Sequence, residues 1–323
     1  MVVVAVAGGT GTVGRTIVDF MVHSGKHNVF VLTRGVLGPT FNKLATSLSI
    51  DYNNVNHIKH TLQENSIEVV VSALLLFNEA AFKSQINLIR GAAESTTVTK
   101  FIPSEYHINF ERSIKWGAFP NKPYQIESVR ELERHPRLAW TLIRNGLFMD
   151  YLGMPFHAKP THLMSWCIFL DLEQETCVFP GDGEQTMIFT HSTDLAAYVN
   201  CLIDMPAGNW PRESLIMPCR IRLKDLARIM ENITGRDFRV TYDSTDAIYN
   251  GQITQLPANK KLFSDPFWGP LYQLVEKEVV YTLLSDGYDL SGQNLADLFP
   301  GVTPTDLEDF LRQSWKLKEE KKL

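Results

Sequence analysis

The sequence predicts an α/β protein, a doubly wound parallel sheet followed by a smaller, irregular second region. Three observations carry that prediction. From residue 1 to about residue 150, short β-branched runs alternate with helix-length segments. The runs are nearly continuous in apolar residues, as strands buried on both faces are. Beyond that point clusters of glycine, proline and aromatics break the rhythm, as at Phe179-Pro180-Gly181-Asp182-Gly183 and Pro266-Phe267-Trp268-Gly269-Pro270.

Strands are expected at Val2–Ala7, Asn28–Thr33, Glu68–Ala73, Lys100–Pro103 and Ala139–Arg144, with a weaker one at Ile50–Tyr52. Helices are expected between them at Gly14–Ser24, Val55–Gln63, Glu79–Ala93 and Tyr124–His135. Further helices are expected at Ser192–Ile203 and Leu223–Thr234. The crossovers should be right-handed. The division expected is a first domain over 1–153, with part of 184–205 returning to it, and a substrate-binding region over 154–323.

Composition narrows the classes. The chain has 323 residues, 44% hydrophobic and 21% charged, as ordinary globular proteins have. Its longest apolar run, Val69–Phe77, contains Ser72 and falls well short of the roughly 20 residues that span a membrane. Neither a membrane nor a nucleic-acid partner is expected, since 31 basic residues face 36 acidic ones for a net charge of −5. The apolar start, Val2–Ala7, lacks the basic flank of a signal peptide, so a cytoplasmic protein is expected. Cys167, Cys177, Cys201 and Cys219 form no C-x-x-C pair, and no His/Asp/Glu set has metal-ligand spacing, so no metal is expected. No Gly-x-Ser-x-Gly elbow is present, which removes the hydrolase reading.

The strongest chemical signal is Gly8-Gly9-Thr10-Gly11-Thr12-Val13-Gly14. It contains G-x-G-x-x-G between an expected strand and an expected helix, which is the context of a Rossmann-type dinucleotide site. Glycines allow the tight turn and bring backbone N–H groups close to a diphosphate, to which the helix N-terminus adds partial positive charge. The second strand ends Val31-Leu32-Thr33-Arg34, with Lys43 beyond it and no acidic residue between Phe20 and Ile50. A carboxylate there would select NAD(H); a guanidinium suits a 2′-phosphate, so NADP(H) is the expected cofactor.

These residues resemble the NmrA-like and isoflavone reductase-like branch of the atypical short-chain dehydrogenases. The matching pieces are Gly8–Gly14, Thr33-Arg34, Val71-Ser72-Ala73-Leu74, Lys100-Phe101-Ile102-Pro103-Ser104-Glu105-Tyr106, Thr141–Phe148 and Pro180–Gly183, in family order over roughly the first 205 residues. The resemblance implies an NADP(H)-dependent oxidoreductase, with Ser72 and Ala73 also at the cofactor. The nearest general likeness is to fungal members that tailor secondary metabolites such as alkaloids. It also implies a rival, a non-catalytic protein that senses dinucleotides through its partners.

The catalytic positions depart from the usual pattern. None of the 10 tyrosines has lysine four residues later, so carbonyl reduction by a Tyr-x-x-x-Lys pair is excluded. The resembling reductases place a lysine on the helix expected near Tyr124, yet Gln125, Ile126 and Glu127 stand there and Lys122 lies just upstream. Ser104, Glu105 and Tyr106 directly follow the fifth strand, at the sheet edge where such folds bind ligands. A carboxylate at Glu105 could stabilise a cationic intermediate or exchange a proton; equally, it could pair with a basic neighbour. The expected catalytic set is Glu105, Lys122 and Tyr106.

Losing the lysine while keeping Glu105 fits hydride transfer at a C=N or conjugated bond better than at a ketone. A redox-neutral cyclisation, in which the hydride is returned, belongs beside it. Trp116, Phe119, Phe148, Tyr151, Trp166 and Trp268 are the expected walls of a pocket for a large hydrophobic small molecule. Phe263–Tyr272 is the expected lid or wall. The oligomeric state is left open.

Overall fold

The computed structural model describes residues 1–35, 45–111, 119–157, 159 and 161–321. Its first part contains β1 (Val3–Ala7), α1 (Thr12–Ser24), β2 (Asn28–Thr33), β3 (Thr46–Ser49), α2 (Val55–Glu64), β4 (Val69–Ser72), α3 (Glu79–Glu94), β5 (Lys100–Ile102), α4 (Lys122–Glu133) and β6 (Ala139–Trp140). The six strands form one sheet in the order β3-β2-β1-β4-β5-β6, and every neighbouring pair is parallel. This is the Rossmann-type doubly wound sheet. Its order reverses between β1 and β4, which opens a crevice at their carboxyl ends.

The period of two along β1 sorts the core. Ala5 and Ala7 face one layer with Ile58 and Leu62 of α2 and Leu88 and Ile89 of α3. Val4 and Val6 face the other with Ile17, Val18 and Met21 of α1. That second layer is completed by Leu195, Tyr198, Val199 and Leu202 of α5 (Ser192–Asp204). Each fully buried aliphatic side chain of this kind stabilises by roughly 1.5–3 kcal/mol, so α5 is held to the first sheet although it follows it by fifty residues of chain.

Two strand expectations need correction. The third strand is Thr46–Ser49, not Ile50–Tyr52. It is the sheet edge, and its Thr-Ser-Leu-Ser sequence lacks the apolar run that a central strand requires. Ile50 and Tyr52 are buried just past it. The run Ala139–Arg144 is two strands: β6 pairs with β5, and β7 (Leu142–Arg144) pairs with β12 (Glu213–Leu215) in a separate sheet. The break falls at Thr141, whose hydroxyl is 2.7 Å from that of Ser214.

The later chain builds small sheets from β8 (Leu147–Phe148), β9 (Leu170–Asp171), β10 (Thr176–Pro180), β11 (Thr186–Thr190), β13 (Cys219–Arg222) and β14 (Arg239–Asp243). Helices α6 (Asp225–Thr234), α7 (Gly269–Leu283) and α8 (Leu307–Glu320) enclose a third core that includes Phe179, Phe189, Met230, Val279, Phe310 and Trp315. Among the described residues, no helix is long and apolar enough to cross a membrane.

Candidate functional site

The glycines after β1 do different jobs. Gly8 has φ +74°, and a Cβ on it would stand 2.4 Å from the Ala73 carbonyl oxygen. A Cβ on Gly14 would stand 2.3 Å from the Gly8 carbonyl oxygen, so α1 approaches the loop this closely only without a side chain. Gly9 packs against Val18 and Val31. At Gly11 a Cβ would meet only the Gly8 carbonyl oxygen, at 3.3 Å. Thr10, Gly11 and Thr12 are exposed and Val13 is half-buried. Gly11 caps α1 without a side-chain bond, and the first turn holds no acidic residue. The helix therefore presents free N–H groups and partial positive charge at an open surface, as anion sites do.

Beside it β2 runs parallel to β1, with Leu32 opposite Ala7, which brings Arg34 to the same end of the sheet. Arg34 is exposed. Thr33 is engaged in the turn: its hydroxyl bonds the Gly35 carbonyl oxygen and accepts from the Gly35 N–H at 2.9 Å. Thr33 holds the turn that carries Arg34. Lys43 and Trp116 lie outside the described residues.

On the other side of the crevice a buried polar network fixes the ends of β4 and β5. Gln85 on α3 accepts from the Ser72 hydroxyl at 2.7 Å and from the Ser104 N–H at 3.2 Å, and donates to the Ser128 hydroxyl of α4 at 3.0 Å. Ser72 is fully buried, so its hydroxyl serves this network and not a ligand. The Ser104 hydroxyl donates to the Leu74 carbonyl, and Tyr106 donates to the Ser72 carbonyl, both at 2.8 Å.

Between these walls lies one cavity of about 440 Å³, within the range of about 300–1,000 Å³ usual for small-molecule sites. It begins at Gly11, Thr12 and Val13, passes Ala73–Phe77 and Ser104, Tyr106 and His107, and ends against Trp166, Trp268 and Tyr272. Phe119, Phe148 and Tyr151 also line it. Ring contacts run from Phe148 to Tyr151 (6.4 Å), Tyr151 to Trp166 (4.9 Å) and Trp166 to Tyr272 (5.5 Å). Asp265 holds the chain at Trp268 by accepting its backbone N–H at 2.8 Å.

No Asp, Glu, Lys or Arg is among the described lining residues of the cavity. Burial pushes the imidazole of His107 down to about 3 and the phenol of Tyr272 up to about 12. It also raises Tyr106 and Tyr151 far above their ordinary range. All four are neutral near pH 7.

Two expected catalytic residues stand elsewhere. Glu105 is buried but does not line the cavity. Its carboxylate lies 3.3 Å from Arg144, which also reaches Glu213 at 2.6 Å. Burial raises Glu105 to about 7, offset only in part by that guanidinium. It pairs with a basic neighbour and lies outside the cavity lining. Lys122 opens α4 and is not among the lining residues. Gln125, one turn further on, is.

Sequence reasoning missed several wall residues. Leu74–Phe77 enter because the strand ends at Ser72 and the chain then crosses the crevice. Asn121 lines the cavity; its place just before a helix with Pro123 in the first turn was a signal that pointed only to capping. Tyr288 is buried behind the wall, its hydroxyl 2.7 Å from His107 Nε2. Nothing in its local sequence marks that contact, which joins residues 181 positions apart. Among the described residues, no group of three or more His, Cys, Asp or Glu side chains is placed to hold a metal.

Comparison with known proteins agrees with this geometry. The model of the NmrA-like family matches residues 2–311. The chain belongs to the NmrA-like family. It is 48% identical to oxidoreductase swnN of Metarhizium robertsii over 337 aligned positions, covering 99% of each chain. It is 47% identical to oxidoreductase swnN of Arthroderma benhamiae, again over 99% of each. Among solved structures, a binary complex of leucoanthocyanidin reductase with NADPH from Vitis vinifera matches with a TM-score of 0.75 at 16% identity, covering 97% of this chain and 99% of that one. Both of these relatives are named oxidoreductases, and the solved reductase shares the fold of this chain.

Proposed function

We propose that this protein is an NADP(H)-dependent oxidoreductase of specialised metabolism. In this reading hydride passes between the nicotinamide and a C=N or conjugated bond of a large hydrophobic small molecule. The observation that carries it is the apolar cavity lined at once by the glycine loop and by an aromatic wall. The relatives' printed names, oxidoreductase swnN, support the class, and the leucoanthocyanidin reductase neighbour holds NADPH in the same fold.

The residues present fit that cofactor. Gly11 and the free N-terminus of α1 would receive the diphosphate, and Arg34 the 2′-phosphate. When bound, NADP(H) supplies or accepts the hydride. The aromatic walls orient a flat ring system and exclude water, and cover a delocalised cation by cation–π attraction where no carboxylate does. Tyr106 and His107 offer neutral polar contacts. Residues 1–153 then act as the cofactor-binding domain, and residues 154–323 complete the substrate wall, with part of 184–205 returning through α5 to the first sheet. The non-catalytic sensor has one observation in its favour, the absence of an ionised side chain from the described cavity wall.

The test is a titration of NADPH and NADH against the native protein and Arg34→Ala. NADPH should bind about ten- to a hundredfold more tightly, the worth of one charge-assisted contact, and the substitution should erase most of that margin. Equal affinities for both cofactors in the native protein would remove Arg34 and the NADP(H) assignment together.

A further inference from the structure

The cavity wall includes a polar ring whose hydrogen bonding is decided by a residue behind it. The ring is that of His107, which is half-buried and belongs to the lining. It is held from several sides. The His107 carbonyl accepts the N–H groups of Asn145 and Gly146 at 3.1 and 2.9 Å. The imidazole meets Phe119 edge to face, with centroids 4.8 Å apart, and Tyr288 at 5.2 Å.

Tyr288 is fully buried, and its hydroxyl lies 2.7 Å from Nε2 of His107. Among the described residues that hydroxyl has no other partner. A buried O–H without an acceptor costs about 1–3 kcal/mol. Had Nε2 carried the ring proton, it would donate to the phenol oxygen and leave the phenol's own hydrogen in that state. Tyr288 therefore donates to Nε2. Burial keeps the imidazole neutral near pH 7, so its single proton is on Nδ1. Nδ1 has no partner among the described residues, and it is not one of the unpartnered atoms sealed from solvent. It opens on the cavity that the ring lines. The neighbouring hydroxyl hydrogens are already committed, that of Ser104 to the Leu74 carbonyl and that of Tyr106 to the Ser72 carbonyl.

We infer that His107 presents its Nδ1–H to the substrate as a neutral donor for a carbonyl oxygen, with Tyr288 as the positioning residue that fixes this tautomer. The inference rests on the cavity being the substrate site. It narrows that reading to substrates whose reacting bond is conjugated with a ketone or lactam carbonyl. The donor is uncharged and no described lining residue is Asp, Glu, Lys or Arg, so a neutral carbonyl suits this wall better than a carboxylate. A donor already held in an apolar wall needs no reorganisation to meet negative charge that develops on such an oxygen.

Two measurements test it. In protein labelled with nitrogen-15 histidine, the His107 signals, assigned by their loss in His107→Phe, should show a protonated Nδ1 and an unprotonated Nε2 near pH 7. A proton on Nε2 would overturn the inference while leaving the cavity as the substrate site. The second measurement titrates 4-chromanone and chroman, which differ by one carbonyl, against NADP⁺-loaded protein by calorimetry. It compares the native chain with a His107→Phe/Tyr288→Phe double variant, which removes both partners and so orphans no buried hydroxyl; its melting curve checks that it is folded. The ratio of chromanone to chroman affinity should fall about 5- to 100-fold in the variant. The infrared carbonyl stretch of bound chromanone should also lie lower in the native protein than in the variant. An unchanged ratio and stretch would overturn the inference with the cavity reading intact. Binding of neither probe by the native protein would overturn both.

Discussion

The glycine loop and the cavity it opens into are adjacent but built on different principles. The loop is made by backbone: Gly8 and Gly14 exist to let two stretches of main chain approach within a distance no Cβ allows. The cavity is made by side chains from separated segments, including Phe119, Phe148, Trp166 and Trp268. A backbone device must be written contiguously, so it is visible as a spacing of glycines. A wall assembled across the fold is visible only after folding.

The difference predicts how each region breaks. Gly14→Val drives a Cβ into the Gly8 carbonyl and should give the largest effect, loss of cofactor binding together with about 1–3 kcal/mol or more of stability. At Gly11 a Cβ makes one tight contact, 3.3 Å from the Gly8 carbonyl oxygen, against 2.3 Å at Gly14, so Gly11→Val should lower the melting temperature far less than Gly14→Val while abolishing NADPH binding. Calorimetry and cofactor titration on the pair separate the two roles. A Gly11→Val protein that binds NADPH normally would show the loop to be structural only.

On the cavity side, Glu105→Gln sharpens the comparison. Had Glu105 faced substrate as a general acid or base, its loss would slow turnover by roughly 10²–10⁴. Because it pairs with Arg144 behind the wall, the expected result is a stability loss of about 1–3 kcal/mol with turnover little changed. Denaturant unfolding and steady-state kinetics on the same sample distinguish these outcomes. A large kinetic defect without a stability defect would return Glu105 to the catalytic set.

The smallest effect concerns Glu276 on α7, which burial and the nearby Asp243 push up to about 8 from an ordinary 4.5. Between those values the folded chain holds a proton that the unfolded chain has released, so stability falls as pH rises through that window. Glu276→Gln should flatten the slope, measurable by unfolding between pH 5 and 8. An unchanged slope would assign the pH dependence to other groups, Glu105 first among them.

Legibility in the sequence followed the same divide. Central strands such as Asn28–Thr33 and helices such as Val55–Glu64 carry enough apolar periodicity to be placed within a residue or so. The edge strand Thr46–Ser49 does not, since one side of it meets no neighbour and its residues are largely polar. Thr141 looks like the middle of a strand because nothing local records that its hydroxyl meets Ser214 across the fold. Glu105 was visible as a carboxylate at the right sheet edge, but its direction depended on Arg144, buried 39 residues later. Asn121 carried a capping signal and does not cap.

The central claim, that the cavity receives the reacting end of the cofactor, is tested most directly by a crystal structure of the NADP⁺ complex. The diphosphate should lie on the N–H groups of α1 and the 2′-phosphate against Arg34. The nicotinamide should then point inward, in contact with Ala73 or Leu74 and facing the chamber bounded by Phe119, Trp166 and Trp268. A dinucleotide held by its adenine half, with the nicotinamide turned to solvent, would contradict the enzyme reading and favour the sensor.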